Sequence, residues 1–575
     1  MELSEITNDF FKGNFDKTTS ALSEKEKEVR QIDRLCLQNA IARFLSSGTK
    51  DDAFDVYYCF CEIFHVFGNG YCDNTKNLLN ILADHEIKAG GFNDKHRDHY
   101  SHTVYVFALG ISIYQFNRNY RDSFSKHCLC NNMAENEEFL YRWGLCSLFH
   151  DVGYPFEIAF NSIKVYTEKV FGKFEPLLTY VKVDEFISFS EEDKKYLSKI
   201  LGLESKYLEN AHTLLAKKIS SMFHLDYSFV LLELDTVMEK SVRFIDHAYF
   251  STFTMFKKFL TNKEHNSAAD TEIFIDVCIN ILLHSHFYRN VIGKERKTNI
   301  DVEISVNKPL AFLLILCDEV QAFDREGYGK KSKNEPFPQK CYIEQTGDDF
   351  NVTFIFGKNA INYEGENFIE KHCRKVENAI QDLLSLDNFG KVRILSEISN
   401  NDKPALFHLS ASFFQNILCI AMQIHDNYLN SPTFNILEDD WNRLSLELKM
   451  SNILQAKSYA EQLYRLGYFY NDRDLMLERV FSLTEEQVDE LAEFEHIRWC
   501  DEKQQMAWEF AEYDENDEEL RKEMRKKRKH NCLVEYETLS LNDKEKDKQP
   551  VRNMIPILEM SGFKVYRANK IKCQR

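Results

Sequence analysis

A chain of 575 residues exceeds one ordinary domain, and about 150 residues per domain predicts two to four. Twenty glycines and nine prolines are few for this length, while 46 Phe and 27 Tyr are many, which excludes a turn-dense all-β, collagenous or disordered chain. The formal charge of −19 excludes a broad surface for duplex nucleic acid.

In chain order, residues 1–94 read as a helical N-terminal region, apolar-periodic from Leu35 to Phe44 and aromatic-rich from Ala53 to Phe67. Residues 95–330 read as a helical bundle with helices at Tyr100–Phe116, Glu137–Phe149, Tyr207–Lys240, His247–Phe259, Glu272–Phe287 and Pro309–Phe323. Asp246 is placed to cap the helix that opens at His247, and Pro309 suits a first helical turn. Residues 331–432 read as a small α+β segment. In it Thr346-Gly347-Asp348-Asp349 joins the strands Cys341–Glu344 and Phe350–Phe356, followed by a helix Glu366–Leu386 and a strand Lys391–Leu395. Ser431-Pro432-Thr433 marks a boundary, and residues 438–570 read as a helical C-terminal domain. The fold class is therefore mainly α, with sheet expected mostly in the middle. Seven acids between Glu509 and Leu520 precede seven bases between Arg521 and Lys529, a pattern read as a solvated face.

Met1 to Lys17 has neither a basic start nor an apolar stretch, and the longest apolar run, Leu310–Cys317, is far short of the ~20 residues of a membrane span. With 15 scattered cysteines the expected setting is cytoplasmic and reducing, without a membrane partner. The C-x-C pairs Cys59/Cys61 and Cys128/Cys130 read as buried thiols rather than a zinc site.

The common phosphate-binding loops are missing; Gly68-Asn69-Gly70 has Asp73 where a dinucleotide fingerprint needs its last glycine. Histidines and aspartates stand instead within apolar helices. His102 opens a face continued by Tyr105, Val106 and Leu109. His150-Asp151 closes an apolar stretch, His284 shares a face with Val277 and Ile281, and Asp318 shares one with Ala311, Leu314 and Ile315. A carboxylate in such a helix is costly unless it is paired or binds metal. Imidazole and carboxylate converging from several helices suit a divalent ion.

With His102, His150-Asp151 and Asp318 the chain resembles the HD-domain metal-dependent phosphohydrolase superfamily, whose pattern is H…HD…D on a helical bundle. The matching words are Arg97-Asp98-His99-Tyr100-Ser101-His102-Thr103-Val104, Phe149-His150-Asp151-Val152-Gly153-Tyr154-Pro155 and Leu310 to Asp318. His247, in Asp246-His247-Ala248-Tyr249, and His284, in Leu283-His284-Ser285-His286, look like the extra histidines of dinuclear members. The resemblance implies one or two ions (Mn²⁺, Fe²⁺, Ni²⁺, Co²⁺, Mg²⁺ or Zn²⁺) held by His102, His150, Asp151, His284 and Asp318, and hydrolysis of a phosphoester or phosphoanhydride by water activated at the metal. His99, His247 and His286 are unranked candidates to assist the leaving oxygen. Arg97, Arg289 and Arg325 are the candidate phosphate clamps, by proximity in sequence.

The run His150-Asp151-Val152-Gly153-Tyr154-Pro155 looks like that of deoxynucleoside-triphosphate triphosphohydrolases, although Tyr154 stands where those enzymes often carry histidine. The long span from Asp151 to His247 implies an insertion, residues 156–246, that shapes the substrate pocket. The expectation is a dNTP triphosphohydrolase. A phosphodiesterase of cyclic nucleotides or oligonucleotides and a non-catalytic nucleotide-sensing regulator are the alternatives.

Residues 438–570 resemble the RyR domain through Trp441, Ser451-Asn452, Leu491-Ala492-Glu493-Phe494-Glu495-His496-Ile497-Arg498-Trp499, Trp508, His530-Asn531-Cys532-Leu533-Val534 and Gly562-Phe563-Lys564-Val565. Ala507 and Tyr536 depart from the usual glycine and tryptophan. The resemblance implies sensing of a nucleotide-like effector, with His496, Arg498, Trp499 and Trp508 as candidate contacts, oligomerisation of the chain, and a place in phage defence.

Overall fold

The computed structural model describes residues 1–13, 15, 23–66, 99–128, 133–156, 187–240, 247–261, 267–285, 307–324, 336–347, 349–361, 367–386, 389–399, 414–428, 438–514 and 517–568. Arg97, His286, Arg289 and Arg325 lie outside the described residues, as do Asp246, Cys130, Asp348, the boundary at Ser431-Pro432-Thr433 and much of 156–246. The protein is mainly helical with a few small sheets. It divides into two compact units, residues 1–23 with 40–411 and residues 24–39 with 412–575.

The first unit contains helices α1 (Leu3–Phe11), the C-terminal part of α2 (Glu24–Ser47), α3 (Lys50–Ile63), α4 (Tyr100–Phe116), α5 (Arg118–Cys128), α6 (Glu135–Phe149), α7 (Glu191–Leu201), α8 (Ala211–Phe223), α9 (Tyr227–Lys240), α10 (His247–Thr261), α11 (Ala268–His284) and α12 (Pro309–Val320). α4 has the bounds its sequence predicts, and every residue from Tyr100 to Tyr114 is buried. Pro309 occupies the first turn of α12, and α11 opens on a Ser267–Asp270 capping box. α4 and α6 approach closely because Gly110 has no side chain. A Cβ there would lie 2.1 Å from the Trp143 ring, whose Nε1–H donates to Phe107 O at 2.9 Å.

The span read as one helix, Tyr207–Lys240, is two. His224 takes a left-handed backbone (φ 53°) that ends α8, and the Asp226 carboxylate accepts the Phe229 N–H to start α9. The hairpin forms β1 (Pro338–Thr346) and β2 (Asp349–Phe356), with β3 (Val392–Ile398) parallel to β2 after α13 (Phe368–Leu383).

A charged network ties three of the bundle helices. Arg142 on α6 donates to Glu138 at 2.8 Å and lies 3.6 Å from Asp276 on α11, whose carboxylate also pairs with Lys308, just before α12, at 3.3 Å. Arg142 stands eight residues before His150, and Asp276 eight before His284.

The second unit contains residues 24–39 of α2, then α14 (Phe414–Tyr428), α15 (Glu438–Arg443), α16 (Leu446–Arg465), β4 (Tyr468–Asn471), α17 (Glu485–Gln505), β5 (Glu509–Phe510), α18 (Glu518–Lys526), β6 (Lys529–His530), α19 (Leu541–Met560) and β7 (Lys564–Arg567). β4 pairs antiparallel with β7 and β5 parallel with β6. Most of the sheet among the described residues lies in the middle segment, as expected; the short strands of the second unit add to it and are too short to show a period-2 pattern in sequence. No helix among the described residues is long and apolar enough to cross a membrane.

Candidate metal centre

Five helices bring the imidazoles and carboxylates together. α4 supplies His102 from its first turn, the end of α6 supplies His150-Asp151, and α12 supplies Asp318. The start of α10 and the end of α11 supply His247 and His284. Among the described residues, the ligand atoms of His102, His150 and Asp151 lie within 4.8 Å of one another, as do those of Asp151, His247 and His284. Asp151 belongs to both groups. His102 Nε2 lies 2.8 Å from Asp318 Oδ1, and His150 Nε2 lies 3.6 Å from Asp151 Oδ1 and 4.0 Å from Asp318 Oδ1. His247 Nε2 lies 3.5 Å from Asp151 Oδ1 and 3.1 Å from His284 Nε2.

The protein fixes which nitrogen of each ring faces the centre. His150 Nδ1–H donates to Ser147 O at 2.7 Å, and His284 Nδ1–H donates to Ile281 O at 2.5 Å. Both acceptors are last-turn carbonyls that lack an intrahelical partner. His102 Nδ1–H donates to Gln321 Oε1 at 2.5 Å; the Gln321 amide nitrogen is committed to Phe323 O at 2.6 Å, which sets its oxygen toward the ring. With the hydrogen on Nδ1, each Nε2 presents a lone pair to the cluster, the form in which imidazole ligates. The buried His150 Nε2 has no hydrogen-bond partner. An orphaned lone pair facing two carboxylates is costly in a protein interior, and a cation resolves it. The donor set, imidazole nitrogens with carboxylate oxygens, fits a borderline or hard divalent ion, so the residues fit the metal that the sequence resemblance implies.

The electrostatics suit the same role. Burial opposes ionisation of Asp151, but the neighbouring His150, the hydrogen bond from His99 and the neighbouring His247 hold its carboxyl well below the usual range. Asp318 is likewise held low against burial by the neighbouring His102, whose Nε2 lies 2.8 Å away. Burial first, then the neighbouring His247 and His150, push His284 down to about 4, leaving a neutral ring at neutral pH.

His99 Nδ1–H donates to Asp151 Oδ2 at 2.9 Å and so orients the shared carboxylate. Its ring is stacked on Tyr154 with centroids 3.5 Å apart. Gly153 lets this turn press on α10: a Cβ there would lie 2.3 Å from Ser251 N and 2.5 Å from His247 O, and the Gly153 N–H donates to Ser251 Oγ at 2.8 Å. Sequence reasoning singled out His99, though as a group to assist the leaving oxygen, and met Gly153 only as part of a matching word; it missed Gln321. Gln321 follows Asp318 by one helical turn, which is the signal that could have found it. Neither metal-capable group among the described residues includes a cysteine.

In the second unit, His496 Nδ1–H donates to Asp547 at 3.0 Å and Nε2–H to Val534 O at 2.8 Å. Arg498 is gripped by Glu495 (2.7 Å) and Glu502 (2.8 Å). Trp508 Nε1–H donates to Glu447 at 2.8 Å beneath the Arg528 guanidinium, 5.2 Å from the ring centroid. The Trp499 and Trp508 rings lie 4.9 and 6.4 Å from that of His530. His496, Trp499 and Trp508 thus lie in one chain of ring contacts through His530, and Arg498 stands on the same helix as His496 and Trp499. His496, Arg498 and Trp508 are engaged there by protein groups.

The first unit is thus mainly helical, with one small sheet and a His/Asp cluster that could hold metal. Residues 480–567 of the second unit match the RyR domain family, a span that runs from just before α17 to β7. No curated protein and no solved structure matches the chain.

Proposed function

We propose that the chain is a metal-dependent nucleotide phosphohydrolase of the HD type, which takes a deoxynucleoside triphosphate and water to a deoxynucleoside and triphosphate. The reading is carried by three histidines, His102, His150 and His284, whose Nδ1 hydrogens are taken by the protein and whose Nε2 atoms face the Asp151 and Asp318 carboxylates. A bound divalent ion supplies Lewis acidity, readying water for attack near neutral pH and offsetting phosphoryl charge. His99 holds the Asp151 carboxylate in place. His247 completes the second metal-capable group with Asp151 and His284. The acidic surface of the chain does not oppose this chemistry, because cations at the site set the local field. The RyR domain gates turnover in response to a nucleotide ligand or to self-association, in a role that fits phage defence.

Purified chain supplied with Mn²⁺ and a panel of dNTPs, NTPs, cyclic nucleotides and oligonucleotides, with products resolved by chromatography, tests this. Triphosphate with a deoxynucleoside is the expected product pair. Linear products from cyclic substrates, or cleaved oligonucleotides, would replace the reading with a phosphodiesterase. Metal binding without turnover on any substrate would replace it with a nucleotide-sensing regulator. Activity retained after the double change His150→Ala, Asp151→Ala would remove the metal centre from the mechanism.

A further inference from the structure

We propose that His212 is a positioning residue for the second metal-capable group, acting through Tyr249 on His247; this rests on the metal-centre reading above. His212 lies on α8 and is fully buried, a costly place for an imidazole unless both nitrogens are satisfied. Both are. Nδ1 lies 2.8 Å from Asp235 Oδ1 on α9, and Nε2 lies 2.7 Å from the Tyr249 hydroxyl on α10. A carboxylate only accepts, so the hydrogen on Nδ1 is directed at Asp235 and the ring is fixed in orientation. The imidazole also meets the rings of Tyr249 and Phe253 edge to face, at 5.7 and 5.2 Å.

Tyr249 stands two residues after His247, in the first turn of α10. That turn carries no side-chain ligand other than His247 to the centre, and it is held from two directions. On one side Gly153 donates to Ser251, and Phe156 stacks on Phe250 with centroids 4.7 Å apart. On the other, Asp235–His212–Tyr249 joins it to α8 and α9. His247 Nε2 reaches both Asp151 Oδ1 (3.5 Å) and His284 Nε2 (3.1 Å) only while this turn keeps its place. Loss of the hydroxyl contact releases the hold from α8 and α9. Groups that hydrogen-bond a ligand commonly account for about 10- to 100-fold in metal affinity, and a hold one residue further out is expected at the lower end of that range. The helices between the His-Asp doublet and His247 thereby contribute to the metal centre without supplying a ligand.

The test uses the full chain and Mn²⁺ alone. Binding is followed by calorimetry, atomic emission and the electron paramagnetic resonance of Mn²⁺. The wild-type chain is expected to bind two ions, with the exchange-coupled signature of a neighbouring pair. Tyr249→Phe keeps the ring and removes only the hydroxyl; it should weaken the second ion by about tenfold or more and diminish the coupled signal while leaving the first ion unchanged. His212→Phe should do the same, and His212→Gln, which retains hydrogen-bonding capacity, should restore part of the affinity. Two ions bound with wild-type affinity and signal by Tyr249→Phe and His212→Phe would overturn the inference but not the metal centre. A wild-type chain that binds one ion would overturn the inference, and one that binds none would overturn the metal-centre reading with it.

Discussion

His150 and His284 close the last turns of α6 and α11 in the same way, each donating Nδ1–H to the carbonyl three residues earlier, and their rings meet edge to face with centroids 5.3 Å apart. One local device, repeated on two helices, turns two Nε2 atoms toward one space. The acceptors are main-chain atoms, so the device depends on where each helix ends rather than on a particular neighbouring side chain.

Gln321 does for His102 what the carbonyls do for the other two rings. Gln321→Leu removes the acceptor of the His102 Nδ1 hydrogen and frees the ring to change tautomer. Mn²⁺ affinity measured by calorimetry should fall by about 10- to 100-fold, with thermal stability little changed. Unaltered affinity would mean that the His102 orientation is set by packing alone.

Gly153→Ala should be among the more damaging single-methyl additions in the chain, because its Cβ would meet backbone atoms of α10 at 2.3 to 2.7 Å. Overpacking against backbone costs about 1–3 kcal/mol, so denaturant unfolding should show a loss in that range. Mn²⁺ binding at the Asp151–His247–His284 group should weaken with it. A loss below about 0.5 kcal/mol would show that α10 yields easily.

Arg142→Leu leaves Glu138, 1% exposed, with its ion-pair partner removed. Breaking a buried pair from one side costs about 3–5 kcal/mol, whereas replacing both partners by leucine should cost much less. Chemical denaturation of the two single variants and the double variant measures the difference. Equal losses in Arg142→Leu and the double variant would mean that the charges contribute little beyond their volume.

The stability of the second unit should depend on pH through His496. Burial works against its charge, but hydrogen bonding with Asp547, Cys500 and the Val534 carbonyl raises its pKa from the ordinary 6.5 to about 10. The folded state therefore holds this proton where the unfolded chain has lost it. The stabilisation is complete below the unfolded pKa of about 6.5 and is lost as pH rises through about 10. The gap in unfolding temperature between the wild-type chain and His496→Gln should be widest near pH 6 and close toward pH 10. A gap constant over that range would show that the His496 contacts stabilise without its charge.

Much of the bundle is legible in the sequence because its helices are long and apolar. The bounds of α4 follow from the pattern alone, and the cluster residues stand out as polar groups where burial penalises them. Less legible is whatever depends on a single backbone conformation. The break between α8 and α9 rests on His224 entering the left-handed region, a conformation no apolar period reports. The pairing of β4 with β7 joins segments about ninety residues apart through four residue pairs each. Gln321 and His212 were missed for another reason: each acts through a partner that only the folded chain brings near. Arg97, Arg289, Arg325 and His286 lie outside the described residues, so the phosphate-binding side of the reading still rests on sequence.

The deep burial of α4, α11 and α12 has a consequence for how such a chain tolerates change in length. A helix with an open side can absorb an inserted residue by turning some polar groups to solvent. These helices are buried on nearly every side. One added residue between Pro309 and Asp318 would swing everything beyond it by about 100° and carry the carboxylate away from His102. The loops can therefore vary in length far more freely than these three segments, whose residue count is itself part of the site.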